Sequence, residues 1–432
     1  MLRYSLAFLS EKSLSKMKGF QRLTFTYEAL QIWLDALPNL KCRETTIPLT
    51  EAFNRVATEE ILAPEDLPRF DRSAVDGYAV NAEDTQGASQ FKPLLFSFSK
   101  QDQIEPTGPR NTLQIWTGNP LPKGANAVIM LEYTTKKNGK IEFNAQVAPY
   151  DNVSRRGEDV KKGEVVTKAG TRLNPYHLGL LSALGYKEIK VTEKPKIAIL
   201  ATGIELAKAG EQRNERQIYD SNRITLSAMC DELAAEPLDI GIVSDDANEI
   251  AEKIQLALKI ADAVITTGGT SVGGLDLVPE AINKIGKPGI IAHGIAMRPG
   301  MPTALAVVED KPVIVLSGNP VAAIIGFELF ARPLICKMLG MKNVESRPTA
   351  QALMTRKVAS TLGRKTFIRV CAFEKSGDVH AEPISARGSG TISTMTRANG
   401  FVIVPENREG LTEGETVTVH LFGSIDKETE HV

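Results

Sequence analysis

Cysteine and histidine are scarce in this chain of 432 residues, which holds four of the first and five of the second. The cysteines, Cys42, Cys230, Cys336 and Cys371, form no CxxC pair, and no two histidines stand in an HxxxH spacing. A zinc site or a disulfide framework is therefore not expected. An excess of one charge is lacking as well: Lys plus Arg number 51, Asp plus Glu 52, and the net charge is -1. No global field invites nucleic acid or an acidic membrane, so any anion site must be local. The longest uncharged apolar stretch, Pro312 to Phe327, is too short to span a bilayer and is broken by Gly318, Asn319 and Pro320. Residues 1–20 have only a short apolar core and no small-residue cleavage site, and are set aside as an N-terminal extension with Met17 as an alternative start. Thiols without pairing signals and no export signal point to a reducing cytoplasm.

What is present is an ordinary globular composition, 42% hydrophobic and 24% charged, which disfavours disordered, collagenous and coiled-coil classes. At about 100 to 200 residues per domain, the length predicts two to four domains. Between Pro195 and Gly340, apolar runs alternate with helical patterns. Lys196 to Gly203 (KIAILATG) predicts a buried strand ending in a glycine turn. Leu226, Met229, Cys230 and Leu233 then predict a helix from about Ser221, and Pro237 to Val243 a second strand. A further helix carries Ile250, Ile254, Ala257, Leu258 and Ala261 on one face, opened by Asp246 and Glu249 in a capping-box spacing. ADAVITTGGTSVGG reads as a strand entering a glycine-rich loop, and the segment from Lys311 as a strand, a turn and an apolar helix. Such repeated units build a doubly wound parallel sheet. Its ligands bind at the carboxyl ends of the strands, which makes Thr202-Gly203, Thr267 to Gly274 and Ser317 to Pro320 neighbours on one rim. The flanks differ. Residues 21–62 predict a helix over Tyr27 to Leu37 and a second amphipathic segment, residues 66–190 are rich in short runs and turns, and the alternating stretches after Arg347 predict a small all-β domain.

The loop Thr266 to Gly274 can turn backbone N–H groups and two hydroxyls toward an anion, although a bare tight turn has the same sequence. Pro320 suits a first helical turn. Carboxylates crowd the turns: Asp71, Asp76, Glu158, Asp159, Glu205, Asp220, Asp245, Asp246 and Asp276. Gathered at a phosphate site, such groups hold Mg²⁺; taken singly, Asp246 and Asp220 fit helix starts and Asp76 a turn. Arginine can hold an oxyanion bidentately, and Arg298 and Arg387 sit in compact turns. His177 and His293 read as structural.

Read together, the pieces closely resemble the molybdopterin molybdenumtransferases, the MoeA or molybdenum insertase family that includes the E domain of gephyrin. The likeness runs from about Leu23 to Phe422, through FDRSAVDGYAV (Phe70 to Val80), TGNPLPKGANAVI (Thr117 to Ile129), RRGEDV (Arg155 to Val160), ATGIEL (Ala201 to Leu206) and QIYDSNR (Gln217 to Arg223). It continues through GIVSDD (Gly241 to Asp246), TTGGTSVGGLD (Thr266 to Asp276), AMRPGMPT (Ala296 to Thr303), LSGNPVAA (Leu316 to Ala323) and GSGTISTMTRANG (Gly388 to Gly400). The resemblance implies an α/β plus β multidomain fold in an elongated homodimer. Its parts are a discontinuous N-terminal domain (21–65 plus 151–192), an inserted β-rich lobe (66–150), a doubly wound α/β/α domain (193–345) and a C-terminal β-barrel (346–432). It implies that adenylyl-molybdopterin is hydrolysed with magnesium (Mg²⁺) while molybdate enters the dithiolene, giving molybdenum cofactor and AMP, in a cleft at the dimer interface. It further implies catalytic roles for Asp76, Glu205, Asp276 and Asp159, and metal binding by Asp76, Glu205, Asp245, Asp246 and Asp276. Substrate binding falls to Thr117, Ser221, Gly268, Gly269, Thr270, Ser271, Arg298, Gly318, Asn319, Arg369 and Ser389. The upstream adenylyltransferase is an expected partner; nucleic acid and membrane are not.

Several positions depart from the family. Ile204 stands where Asp or Asn is usual, Gly274 where Glu is frequent, and Pro279, Gly294 and Met301 where many members have Lys. Ser317 and Ala322 stand where Pro and Ser are common, and Asn126 where Asp is usual. Lost lysines weaken a divalent anion site. A tungstate insertase, the adenylyltransferase itself and a non-catalytic pterin-binding scaffold stay open as alternatives, the second disfavoured by the flanking domains.

Overall fold

The computed structural model describes residues 23–38, 40, 43–99, 110–270, 276–342, 347–384 and 388–427. They form two compact units: one comprises residues 46–53 and 57–191, the other the described residues of 1–45, 54–56 and 192–432. Helix α1 (Thr26–Asp35) belongs to the larger unit.

The smaller unit carries a six-stranded sheet. Its strands β1 (Gly77–Val80), β2 (Leu94–Ser99), β3 (Asn111–Ile115), β4 (Ala127–Met130), β5 (Thr134–Lys137) and β6 (Lys140–Phe143) lie in the order β4-β1-β3-β2-β6-β5. Tyr78, Phe96, Ile129 and Phe143 fill its core, with the Phe96 and Phe143 rings 4.5 Å apart. β1 lies so close to β4 that a Cβ at Gly77 would stand 2.0 Å from the Ile129 carbonyl oxygen, which requires glycine directly after Asp76. Helix α2 (Pro175–Ala183) begins with a reciprocal capping box between Asn174 and His177, so His177 has the structural role that was expected.

In the larger unit, strands β7 (Lys196–Thr202), β8 (Glu236–Val243), β9 (Ala263–Thr267), β10 (Pro288–His293), β11 (Ala304–Val308) and β12 (Lys311–Leu316) form one sheet in the order β8-β7-β9-β12-β11-β10. The first four are parallel, as the repeated pattern predicts. β11 and β10 are instead antiparallel additions. The reason is local: Glu309 and Asp310 both adopt positive φ (50 and 63), making a two-residue hairpin between β11 and β12.

Five helices follow the strands: α3 (Asn222–Glu232), α4 (Ala247–Ile260), α5 (Leu277–Ile285), α6 (Pro320–Gly326) and α7 (Arg332–Met338), the last two joined by a π-helical turn, Phe327–Ala331. Side-chain alternation divides the sheet between two cores. Ile197, Ile199, Ile265 and Ile314 point to the face shared with α1, α3, α6 and α7, while Ala198, Leu200, Val264 and Val313 point to α4 and α5. Both faces being covered explains why these strands read as continuous apolar runs. The helix predicted near Tyr27 buries Ala29, Trp33 and Leu37 here, and the Trp33 indole donates to the Ala306 carbonyl at 2.8 Å. Asp246 caps α4, accepting the N–H groups of Asn248 and Glu249 at 2.9 Å each. The predicted capping box is only half formed, because Glu249 accepts from the Ser244 hydroxyl instead.

Strands β13 (Thr349–Met354), β14 (Lys365–Lys375), β15 (Asp378–Pro383), β16 (Gly400–Val404) and β17 (Thr416–Leu421) run β14-β15-β13-β17-β16 and return to β14, closing a five-stranded barrel. Ala352, Val370, Val402 and Val419 fill it. A short strand from the sheet domain, Met297–Arg298, pairs with Lys365 and Thr366 of β14 and so registers the two folds.

A buried ion network lies within the larger unit. Glu328 on the π-helical turn is gripped by Arg332 (Nε to Oε2 2.9 Å) and by Arg347, just before the barrel (Nη2 to Oε1 2.6 Å). Burial pushes the Glu328 carboxyl up, but the two guanidinium groups outweigh it and hold it below its ordinary value. Replacing Glu328 by Ala leaves two arginines with little solvent and no central countercharge. We expect a loss of about 3–5 kcal/mol, checked by urea unfolding followed at Trp33 in a Trp116→Phe background. An unchanged midpoint would show that Glu232 and solvent compensate.

Candidate active site

In the smaller unit, the turn before β1 presents Asp76. Its Oδ1 accepts the Thr117 N–H at 2.8 Å and the Thr117 hydroxyl at 2.7 Å. These bonds, the backbone one first, hold the exposed carboxyl below its usual range. Thus Asp76 and Thr117 are brought together. Asp159 is exposed, with its N–H bound to the Leu67 carbonyl at 3.1 Å. Nearby, Asp66 receives the Arg156 guanidinium at 2.5 Å and the Lys162 N–H at 2.9 Å, which fixes the Arg155 to Val160 turn.

In the larger unit, the loops after β7, β9 and β12 meet as the sheet topology predicts. They meet through bare backbone. A Cβ at Gly268 would lie 2.4 Å from the Thr202 carbonyl oxygen, and one at Gly269 2.4 Å from Val278 and 2.9 Å from the Thr202 hydroxyl. Both glycines also have positive φ, 90 and 66. Gly318 packs on Gly268, whose N–H donates to the Leu316 carbonyl at 3.1 Å. The buried hydroxyls of Thr202 and Thr270 have no hydrogen-bond partner among the described residues.

Carboxylates stand beside this rim. Glu205 folds back over Gly203, where a Cβ would be 2.6 Å from its Oε1, and Asp245 accepts the Ile204 N–H at 3.2 Å. Asp246 is engaged in capping α4. Asp276 precedes α5 without capping it and raises the His293 imidazole pKa, but burial prevails and leaves that ring below its ordinary value. Among the described residues, no three His, Cys, Asp or Glu side chains converge as a metal cage. Mg²⁺ needs none: it takes one or two carboxylates and completes its shell with phosphate oxygens and water, so the exposed Glu205 and Asp245 suit it. Ser221 precedes α3 without a side-chain capping bond. Ser271, Gly274 and Arg387 lie outside the described residues.

Next to the third loop a cleft of about 720 Å³ opens toward the barrel. It is lined by Arg298, Arg356, Lys357, Arg364 and Arg369, with Ser389 at its side, and by no acidic residue among those described. Val321 N–H donates to the Ser389 carbonyl at 3.1 Å, tying the barrel loop to the start of α6. Burial disfavours the charged forms of Arg364 and Arg369, and for Arg364 the neighbouring Arg298 adds to the effect. Nε of Arg369 is buried with no partner among the described residues. An anion in the cleft answers both conditions. Sequence reasoning selected Arg298, Arg369 and Ser389, and counted Arg364 among the basic groups that could meet an oxyanion without assigning it to the site, but did not select Arg356 or Lys357; the signal was the concentration of cations on both sides of one glycine turn at Gly363. Of the three positions where lysine is usual, Met301 alone lines this cleft, while Pro279 is buried in α5 and Gly294 occupies a turn with φ 83.

The class defined by this arrangement is a ligand-binding doubly wound domain joined to a small barrel, with carboxylates on the sheet rim and cations in the barrel cleft. Residues 26–185 match the MoeA N-terminal region (domain I and II), residues 198–337 a probable molybdopterin binding domain, and residues 351–422 the MoeA C-terminal region (domain IV). A Methanocaldococcus jannaschii protein named for molybdopterin biosynthesis is 39% identical over 419 residues, 95% of this chain and 99% of its own. The molybdopterin molybdenumtransferase of Haemophilus influenzae is 35% identical over 379 residues, 87% of this chain and 93% of its own. The crystal structure of a molybdopterin biosynthesis MoeA protein from Pyrococcus horikoshii OT3 superposes with a TM-score of 0.79 at 33% identity, covering 93% of this chain and 100% of that one. The chain belongs to the MoeA family of molybdopterin molybdenumtransferases and is an enzyme of the transferase class.

Thr117→Val keeps the N–H that binds Asp76 but removes the hydroxyl. The Asp76 pKa is expected to rise part of the way to its ordinary value, read by carbon-13 NMR titration. With a depressed folded pKa, the contact is complete above the ordinary aspartate range and is lost as pH falls through the folded value. An Asp76 titration identical to the wild type would show that the hydroxyl contributes nothing.

Proposed function

We propose that this enzyme inserts molybdenum into molybdopterin, hydrolysing the phosphoanhydride of adenylyl-molybdopterin with Mg²⁺ and releasing molybdenum cofactor and AMP. The observation that carries this reading is the cationic cleft, lined by no acidic residue among those described, set beside a glycine rim flanked by carboxylates. One substrate needs both: its phosphates and the incoming molybdate require cations, and its anhydride requires a positioned water.

Within this reading, Gly269 and Thr270 receive the pterin phosphate region through their backbone N–H groups and the Thr270 hydroxyl, and Gly268, whose own N–H is bound to Leu316, allows the close backbone approach. Arg298, Arg369 and Ser389 hold the molybdate and the developing negative charge, with Gly318 and Asn319 between the two subsites. Glu205 and Asp276 orient the attacking water, and Asp76, Asp159 and Thr117 keep the catalytic and binding roles that the resemblance implies for them. Glu205 and Asp245 or Asp246 would hold Mg²⁺, which would supply charge neutralisation and a more acidic water. A cytoplasmic homodimer that receives its substrate from the upstream adenylyltransferase completes the reading.

Incubating the purified protein with adenylyl-molybdopterin, Mg²⁺ and either molybdate or tungstate tests it, with AMP release and pterin-bound metal as readouts. AMP release with molybdenum retained is the expected result. Tungstate preference would assign a role to Met301 in the cleft, and binding without hydrolysis would make the protein a carrier. Arg369→Ala should lower kcat by about 100-fold; wild-type kcat in that variant would remove Arg369 from the site.

A further inference from the structure

Asn222, at the first position of α3, is 7% exposed. Its side-chain amide donates to the Gly318 carbonyl at 2.9 Å and lies 3.4 Å from the Thr267 hydroxyl. It therefore connects the ends of two parallel strands, β9 and β12, at the point where their loops turn into the rim. Packing of α3 does not need this amide, since the helix is anchored by Leu226, Met229, Cys230 and Leu233 further along.

The amide is itself held in place. One oxygen of Asp220 accepts the Asn222 N–H at 2.9 Å and the Arg223 N–H at 3.3 Å, while the other accepts Arg223 Nε at 2.5 Å. Arg223 continues to Asp239 on the edge strand β8. With Asp220 6% and Arg223 7% exposed, these bonds are shielded from water and their geometry is correspondingly firm. Beyond Gly318, Asn319 faces Gly390 of the barrel loop, and Val321 binds the Ser389 carbonyl. A displacement of the Gly318 peptide would thus move the glycine rim and the edge of the cationic cleft together.

We propose that Asn222 is a positioning residue for the reaction, fixing the Gly318 peptide and the Thr267 strand end in one register, and that Asp239, Arg223 and Asp220 form the chain that fixes Asn222. This rests on the insertase reading, and the test separates the two. Asn222→Ala, Asn222→Ser and Asp239→Asn are compared with the wild type in AMP release, in Kd for adenylyl-molybdopterin, and in amide hydrogen exchange of peptides covering residues 263–270 and 311–322. In Asn222→Ala, kcat is expected to fall by about 10- to 100-fold, because small misplacement of bound groups is enough. Substrate Kd should change by no more than roughly threefold, while exchange in both peptides speeds by about tenfold. Asn222→Ser, which keeps a donor, should regain part of kcat, and Asp239→Asn, a change at the exposed end of the chain, should show the same pattern more weakly without threatening the fold. Wild-type kcat in Asn222→Ala overturns the proposal. A fall in kcat without faster exchange also overturns it, making Asn222 a substrate contact. If the wild type itself releases no AMP, the insertase reading falls; unchanged exchange in both peptides then overturns the positioning role independently of activity.

Discussion

Backbone meets backbone where the parallel strands end, and most of the larger unit follows from that contact. Gly268 lies so near the Thr202 carbonyl that any side chain would collide with it, and Gly318 packs on Gly268 in turn. Three loops can share one rim only by giving up side chains at the contact. That leaves a contact of bare backbone, with the hydroxyls of Thr202 and Thr270 buried at it and without a hydrogen-bond partner among the described residues. Charge must come from the periphery: carboxylates from residues just past the turns, such as Glu205 and Asp245, and cations from a second fold.

The distribution of charge is therefore more informative than its total. Elsewhere in the larger unit, opposite charges are matched at short range: Glu328 with Arg332 and Arg347, Asp220 with Arg223, and Glu415 with Arg408. The cleft breaks that habit, with Arg298, Arg356, Lys357, Arg364 and Arg369 around one volume. Burial disfavours the charged forms of Arg364 and Arg369, and Arg298 adds repulsion at Arg364. A site that stores this unfavourable energy gains most from a multiply charged anion, and stability is given up where binding requires it.

Much of the sheet domain was legible because its signals are local. The apolar runs at Lys196 and Ala263, the spacing of Leu226, Met229, Cys230 and Leu233, and the Asp246 cap all correspond to elements of the structure. The hairpin at Glu309–Asp310 was not legible, since Glu309 is not a typical choice for positive φ, no glycine accompanies Asp310, and the surrounding strands look the same in either direction. Arg356 and Lys357 were absorbed into a predicted strand, but β13 stops at Met354 and turns them into the cleft. Asn222 followed Asp220-Ser221 and read as a helix start, whereas its partners Thr267 and Gly318 are distant in sequence and only the sheet brings them near.

The same reasoning bears on the missing lysines. A sequence comparison treats Pro279, Gly294 and Met301 as equivalent losses, yet only Met301 lines the cleft. Three further cations, Arg356, Lys357 and Arg364, reach that volume from the barrel. The cleft is thus charged mainly by the barrel, with Arg298 contributed from the sheet side. The Met297–Arg298 strand paired with Lys365 and Thr366 is the seam that keeps the two contributions aligned. An arrangement of this kind can exchange lysine on the sheet side for arginine on the barrel side without losing charge. It cannot do so without changing geometry, because a planar guanidinium fork approaches an oxyanion along two bonds where an ammonium acts as a point charge. On the proposed reading, which tetrahedral oxyanion the cleft prefers is a question of where those forks converge, and the pairing of Arg298 with Thr366 fixes the backbone from which one of them extends.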